Sequence, residues 1–197
     1  MTWQHLVCVD LEATCSENNT MPRREMEIIE IGAVVVDQRF QPVGEFQTFI
    51  RPVRHAQLTP FCRELTSITQ AQVDQAPTFF QAWVSFSQWL RQLEPYIWTS
   101  WGAYDANQFG QDLDFHGIDG RDVLRRHLNA KSEFSRRQGL RSRVGLKAAV
   151  EQFAGMRWEG RHHRGLDDAR NLARLMPYVM GEDQIDRSDQ NDKQQEQ

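Results

Sequence analysis

Cysteine is scarce in this chain, and positive charge is not in excess. The three cysteines, Cys8, Cys15 and Cys62, form no CxxC pair and no even-numbered disulfide framework. That excludes a disulfide-stapled secreted scaffold and leaves reduced thiols in a cytosolic protein as the simplest account. No run of about 18 apolar residues occurs, which excludes a membrane-spanning helix. The opening MTWQHLVCVDLEAT lacks a basic n-region and its apolar run stops at Asp10, so neither a leader nor an anchor is expected. Lys and Arg number 23 against 27 Asp and Glu, a net charge of −4. A protein that grips long nucleic acid by general electrostatics is normally basic, so any such contact here is local to a site. What is present is 40% apolar and 25% charged residues in a chain of 197, enough for one domain with a real core.

Residues 5–11 (HLVCVDL) are short and apolar and read as a buried strand. Residues 27–37 and 43–51 are also strand-like, separated by the turn-rich QRFQP, and predict an antiparallel meander. The period then changes. Residues 58–93 place apolar groups at helical spacing, most clearly Phe79, Phe80, Trp83, Phe86 and Leu90. A fourth strand fits Tyr96–Trp101, followed by a helix from Asp105 to His116. Residues 146–153 and 166–176 close the domain as helices, with Pro177 breaking or kinking the second. Three strands followed by alternating strands and helices predict one mixed-sheet α/β domain over residues 1–180. Residues 181–197 contain one apolar residue, Ile185, and no periodicity, and are expected to be a disordered tail.

One stretch is strongly charged. From Arg121 to Lys147 nine basic residues face two acidic ones, Asp122 and Glu133. Such a run is either a solvated surface or a phosphate-facing flank that steers a polyanion to one side of an acidic protein. The run alone does not decide.

Asp10 and Glu12 are two apart on a strand, so their side chains share a face with Leu6 and Cys8. Asp105 follows the strand-like IWTSW and looks like a helix N-cap, with Gln108 at the third helical position. In His162-His163-Arg164-Gly165-Leu166-Asp167-Asp168, helical spacing separates the two aspartates. Asp168 shares a face with Leu172 and Leu175 and points inward, whereas Asp167 lies with Asn171 and Arg174 and points to water. An inward Asp on an apolar face is costly without a partner.

Two carboxylates 4 Å apart repel by roughly 4 kcal/mol at an effective dielectric near 20. Four converging acids must therefore take up protons or bind divalent cations. Oxygen ligands without cysteine favour Mg²⁺ or Mn²⁺ over zinc. Two such ions about 4 Å apart are an established device for in-line displacement at phosphorus. A histidine beside them suits proton removal from an attacking water near neutral pH.

Asp10-Leu11-Glu12-Ala13-Thr14, Trp101-Gly102-Ala103-Tyr104-Asp105 and His163-x-x-x-x-Asp168 resemble the three motifs of the DEDDh 3′–5′ exonucleases. The resemblance is stronger to the Eri1-like, 3′ histone mRNA exonuclease branch. It is carried by DLEATC, EIIEIGAVVVD, LTPFCRELTSITQAQVDQAPTF, TSWGAYD and HHRGLDDARNLARL, in the family's order over nearly all of residues 5–176. It implies an RNase H-like α/β fold with a mixed five-stranded sheet flanked by helices. It also implies stepwise hydrolysis from a free 3′ hydroxyl, releasing nucleoside 5′-monophosphates. By motif position, Asp10, Glu12, Asp105 and Asp168 would hold two Mg²⁺ ions, with Mn²⁺ as a substitute, and His163 would be the general base. The family's terminal-nucleotide pocket maps onto Ala13, Thr14, Phe61, Leu65 and Tyr104, beside His163.

Three departures stand out. Tyr104 occupies a position that is often Trp in this branch. Ser67 replaces a common glycine, so a positive φ there would alter the local turn. The chain begins almost at its first strand, so the N-terminal nucleic-acid-binding domain of some family members is not expected. The whole reading predicts a metal-dependent 3′–5′ exonuclease acting on single-stranded 3′ ends, RNA favoured over DNA. The alternatives are a DNA exonuclease of proofreading or repair type and a nucleic-acid-binding module without turnover. The presence of all four acids and the histidine argues against the last, because a binder has no need of a like-charged cluster.

Overall fold

A computed structural model describes residues 3–185. Strands β1 (His5–Ala13), β2 (Ile28–Val36) and β3 (Pro42–Phe49) form the expected antiparallel meander. Strand β4 (Tyr96–Ser100) then pairs parallel to β1, and β5 (His127–Asn129) parallel to β4, giving the order β3-β2-β1-β4-β5. β1 is therefore central and covered on both faces. Its alternation sends Val7, Val9 and Leu11 into one core and Leu6 and Cys8 into the other.

The segment expected to be helical over 58–93 is three helices, α1 (Pro60–Thr66), α2 (Gln70–Asp74) and α3 (Phe79–Arg91). Each starts on a threonine, Thr59, Thr69 or Thr78, whose hydroxyl accepts a backbone N–H of the first turn, as N-caps do. α1 ends at Ser67, which adopts φ 57. The glycine-favouring turn is thus built with a serine. Helix α3 and α4 (Tyr104–Phe115) cover one face of the sheet through Phe79, Trp83, Phe86 and Phe109.

The basic segment contains structure that periodicity did not reveal: α5 (Arg121–Leu124), β5 and α6 (Ala130–Arg137). Residues 146–153 are one α-turn, α7 (Leu146–Ala148), followed by a wider turn in which Ala154 N–H reaches back to Ala149 O. The last helices are α8 (Gly165–Arg174) and α9 (Met176–Met180), bent apart at Leu175 with Pro177 in the first turn of α9. Helices α6 to α9 cover the second face. Of the expected tail, residues 181–185 are described and Ile185 is buried in this second core, its N–H donated to Gln138 Oε1; residues 186–197 lie outside the described residues.

Candidate active site

The end of β1 presents Asp10 and Glu12 on the face that packs against α8. That helix lies unusually close to the sheet because two glycines meet. A Cβ on Gly32 would fall 2.1 Å from the carbonyl carbon of Gly165, and one on Gly165 would fall 2.9 Å from Asp10 O. The approach brings Asp168, in the first turn of α8, to the strand. Ligand atoms of Asp10, Glu12 and Asp168 lie within 4.8 Å of one another, as do those of His162, His163 and Asp168. Asp105 enters from the start of α4, and its Oδ1 accepts the backbone N–H of Leu11 at 3.0 Å. It is not the N-cap expected from sequence. The helix begins one residue earlier, and the carboxylate reaches across to β1 instead.

Glu12, Asp105 and Asp168 are each less than a tenth exposed. Burial, reinforced by Asp168, Glu30 and Asp105, pushes the Glu12 carboxyl up to about 9. Burial raises Asp168 to about 7 against the opposing hydrogen bond from His163 N–H, and Asp105 to about 6 against that from Leu11. Asp10 is raised by burial and then by Asp105, Glu12 and Asp168. The cluster is in the state that the repulsion argument anticipates, demanding protons or a cation.

His163 holds a left-handed backbone, φ 64, and its N–H donates to Asp168 Oδ2 at 3.3 Å. Such a conformation for a non-glycine residue is typical of a functional constraint. Its ring lies 3.9 Å from that of His162, centroid to centroid, and burial holds both imidazoles below their ordinary pKa. Asp167, expected to face water, accepts Arg161 N–H and an Arg170 guanidinium N–H, and its neighbour Asn171 is fully buried.

A cavity of about 280 Å³ is lined by Asp10, Glu12, Asp105, His163 and Asp168 together with Ala13, Leu65 and Tyr104. Thr14 and Phe61 are outside its lining. Thr14 is buried and bonded to Glu27 through both its backbone N–H and its Oγ1, whereas Phe61 is 38% exposed at the start of α1. Two residues escaped the sequence reading. His162 lines the cavity 3.9 Å from Asp168. Glu30, opposite Glu12 on β2 and fully buried, accepts Gly165 N–H and Arg164 Nε–H, each at 3.2 Å. Its one sequence signal is an acid inside the apolar run IIEIGAVVV.

The mixed sheet in this strand order, with acids delivered by its central strand and by two flanking helices, is the architecture of the RNase H-like DEDDh exonucleases. The chain belongs to the RNase_T exonuclease family, whose profile matches residues 7–176. Human 3′-5′ exoribonuclease 1 is 31% identical over 181 residues, which make up 88% of this chain and 51% of that one. The 3′-5′ exonuclease Snipper of Drosophila melanogaster is 31% identical over 192 residues, 88% of this chain and 68% of its own. The nuclease domain of 3′hExo, described as a DEDDh family member bound to rAMP, superimposes with a TM-score of 0.81 at 28% identity, over 93% of this chain and 96% of that one. The chain thus spans about half the length of the human relative.

The DEDDh family is divalent-metal dependent, and the residues present fit a hard dication. Asp168 Oδ1 is buried without a hydrogen-bond partner among the described residues, within a trio of carboxylates. A buried, unpartnered carboxylate oxygen is costly unless an ion completes it.

Proposed function

We propose that this chain is a metal-dependent 3′–5′ exonuclease that acts on single-stranded 3′ ends, RNA in preference to DNA, and releases nucleoside 5′-monophosphates. The unpartnered Asp168 Oδ1 among converging carboxylates is the observation that carries the reading. Asp10, Glu12, Asp105 and Asp168 would hold two Mg²⁺ ions, or Mn²⁺ in their place. What the metal supplies when bound is charge stabilisation at the phosphoryl oxygens and a more acidic water.

His163 is the residue that takes the proton. Burial favours its neutral imidazole, and its backbone bond to Asp168 fixes it at the cavity. The water oxygen bonds to phosphorus, the P–O3′ bond breaks, and the departing O3′ takes a proton from solvent, so the shortened strand leaves with a new 3′ hydroxyl. Ala13, Leu65 and Tyr104 offer the terminal base an apolar wall. Phe61, one helical turn before Leu65 and partly exposed, and Thr14, next to Ala13, would complete the terminal-nucleotide site. Stacking on an aromatic face is worth about 1–3 kcal/mol per base and ignores base identity. The preference for RNA is supported by the names of the human and bovine exoribonuclease relatives. Three free thiols suit a reducing compartment such as the cytosol.

The test is digestion of matched 5′-labelled RNA and DNA oligomers, single-stranded and duplex, with Mg²⁺ and then with EDTA. The expected result is a ladder shortening from the 3′ end with mononucleotide release, faster on single-stranded RNA and abolished by EDTA. Internal cleavage products, or undiminished activity in EDTA, would overturn it.

A further inference from the structure

The nine basic residues between Arg121 and Lys147 divide into two groups once their surroundings are known. Arg121 lies 2.7 Å from Asp119, Arg125 3.5 Å from Asp122 and Arg126 2.7 Å from Glu94. Arg136 and Arg137 share Glu133, at 2.6 and 3.7 Å. Each of these five has a carboxylate within 4 Å, four acids among five cations. Arg141, Arg143 and Lys147 are exposed and have no hydrogen bond or ion pair among the described residues. Lys131 is also unpaired, but it is half-buried on α6.

The three exposed, unpaired cations occupy the segment 139–147, and that segment is fastened to the acid cavity. Trp101 lines the cavity and donates its Nε1–H to Val144 O at 3.0 Å, and Leu146 lines the same cavity. Within residues 121–147 of a chain of net charge −4, the exposed basic side chains left without carboxylates are the three on the stretch fastened to the carboxylate cavity. Cations held beside such a cavity without protein counter-ions match a ligand that brings its own negative charge in a row.

On the reading that the cavity takes a 3′-terminal nucleotide, we propose that the 139–147 segment is the track of the substrate strand. Arg141, Arg143 and Lys147 hold the backbone phosphates of the nucleotides that follow the terminal one inward from the 3′ end. The contacts are to phosphate, so the track is indifferent to sequence. It gives an acidic protein a basic edge on which to engage a polyanion.

The experiment compares two triple variants of equal charge change, Arg141→Ala/Arg143→Ala/Lys147→Ala and Arg121→Ala/Arg125→Ala/Arg136→Ala. Binding of a 5′-labelled single-stranded RNA 20-mer is followed by anisotropy across a salt series, in an Asp10→Asn background that prevents turnover. Each phosphate contact on a single strand contributes about 0.7 to the log–log salt slope, so the track variant should lose about 2 from the slope. Its affinity at low salt should fall at least tenfold, and the second variant should change by less than threefold. Arg141→Lys/Arg143→Lys should keep the wild-type slope, because the contact is charge. In otherwise wild-type protein the ratio of KM for the 20-mer to KM for a dinucleotide should rise at least tenfold in the track variant. Equal responses of the two triple variants, or equal KM increases on long and short substrates, would overturn the track. A wild-type chain that releases mononucleotides from dinucleotides yet binds the 20-mer without salt dependence overturns the track and spares the exonuclease. A chain that binds through the track and releases nothing does the reverse.

Discussion

Asp105 Oδ1 and the backbone N–H of Leu11 are joined by a 3.0 Å hydrogen bond across 94 residues of sequence. It ties the first turn of α4 to β1 at the one residue that separates Asp10 from Glu12. The bond does two things at once. It satisfies one Asp105 oxygen at the end of a buried strand, and it leaves the carboxylate's charge within reach of the other acids, where Asp105 heads the charges that raise Asp10.

Asp105→Asn therefore separates architecture from chemistry. The amide retains an oxygen for the Leu11 N–H but removes a negative charge from a cluster where burial disfavours it. The expected outcome is a loss of at least about 100-fold in kcat, the scale of one electrostatic stabiliser, with a metal-free Tm equal to or above wild type. A variant that loses Tm and activity together would make Asp105 a structural residue only.

The same proton uptake fixes a pH dependence. Asp105, Asp168 and Glu12 are raised from carboxylate values near 4 to about 6, 7 and 9 in the folded chain. Between those limits the folded state binds protons that the unfolded state has released, so without metal stability falls as pH rises through that window. A dication reverses this only where protons have left. Millimolar Mg²⁺ or Mn²⁺ should thus raise Tm more at pH 8 than at pH 5.5. Saturation at 100 times Kd is worth about 2.7 kcal/mol, roughly 5–10 °C in a domain of this size. A thermal-shift series in metal and EDTA reads it directly; equal shifts at both pH values would show that the carboxylates are not the ligands.

Much of the site was legible because β1 is central. A strand buried on both faces must be a continuous apolar run, so two acids at its end are conspicuous, and Asp168 is betrayed by its apolar helix face. The helices over 58–93 were legible as a block but not as three, since what divides them is threonine capping and the turn at Ser67 rather than a break in periodicity. β5 has three residues with one apolar side chain, Leu128, and among the described residues pairs only with β4, so no periodicity could mark it. Glu30 and Arg164 meet across 134 residues, a pairing that no local pattern encodes. Asp105 misled in a different way: its spacing to Gln108 imitates a cap, while the carboxylate reaches from α4 to the backbone of β1.

Ser67 supplies a test of backbone conformation alone. At φ 57 a serine Cβ crowds its own carbonyl, and the residue does not line the acid cavity. Ser67→Gly should stabilise the chain by about 0.5–1 kcal/mol after the entropy glycine adds to the unfolded state. Urea denaturation should show a higher midpoint with an unchanged m-value. A lower midpoint would mean that the Ser67 hydroxyl bond to Thr66 O outweighs the strain.

Gly32→Ala probes the opposite situation, where the backbone conformation is ordinary and space is absent. The new methyl would meet the Gly165 carbonyl carbon and Leu166 N, both at 2.1 Å; these are backbone atoms at the start of α8 and cannot rotate away. Either α8 lifts from β2 or the strand bends, and in both cases Asp168 moves relative to Asp10 and Glu12. Overpacking of this kind, against backbone rather than side chain, should cost at least about 3 kcal/mol. Gly44→Ala is the control on the neighbouring strand, because its methyl would sit 3.2 Å from a Val35 side-chain carbon that can shift. Denaturation midpoints should fall far more for Gly32→Ala. The fraction that remains folded should also lose the metal-induced rise in Tm, since the carboxylates no longer converge. Retention of that rise would show that the acids keep their geometry without the two-glycine contact.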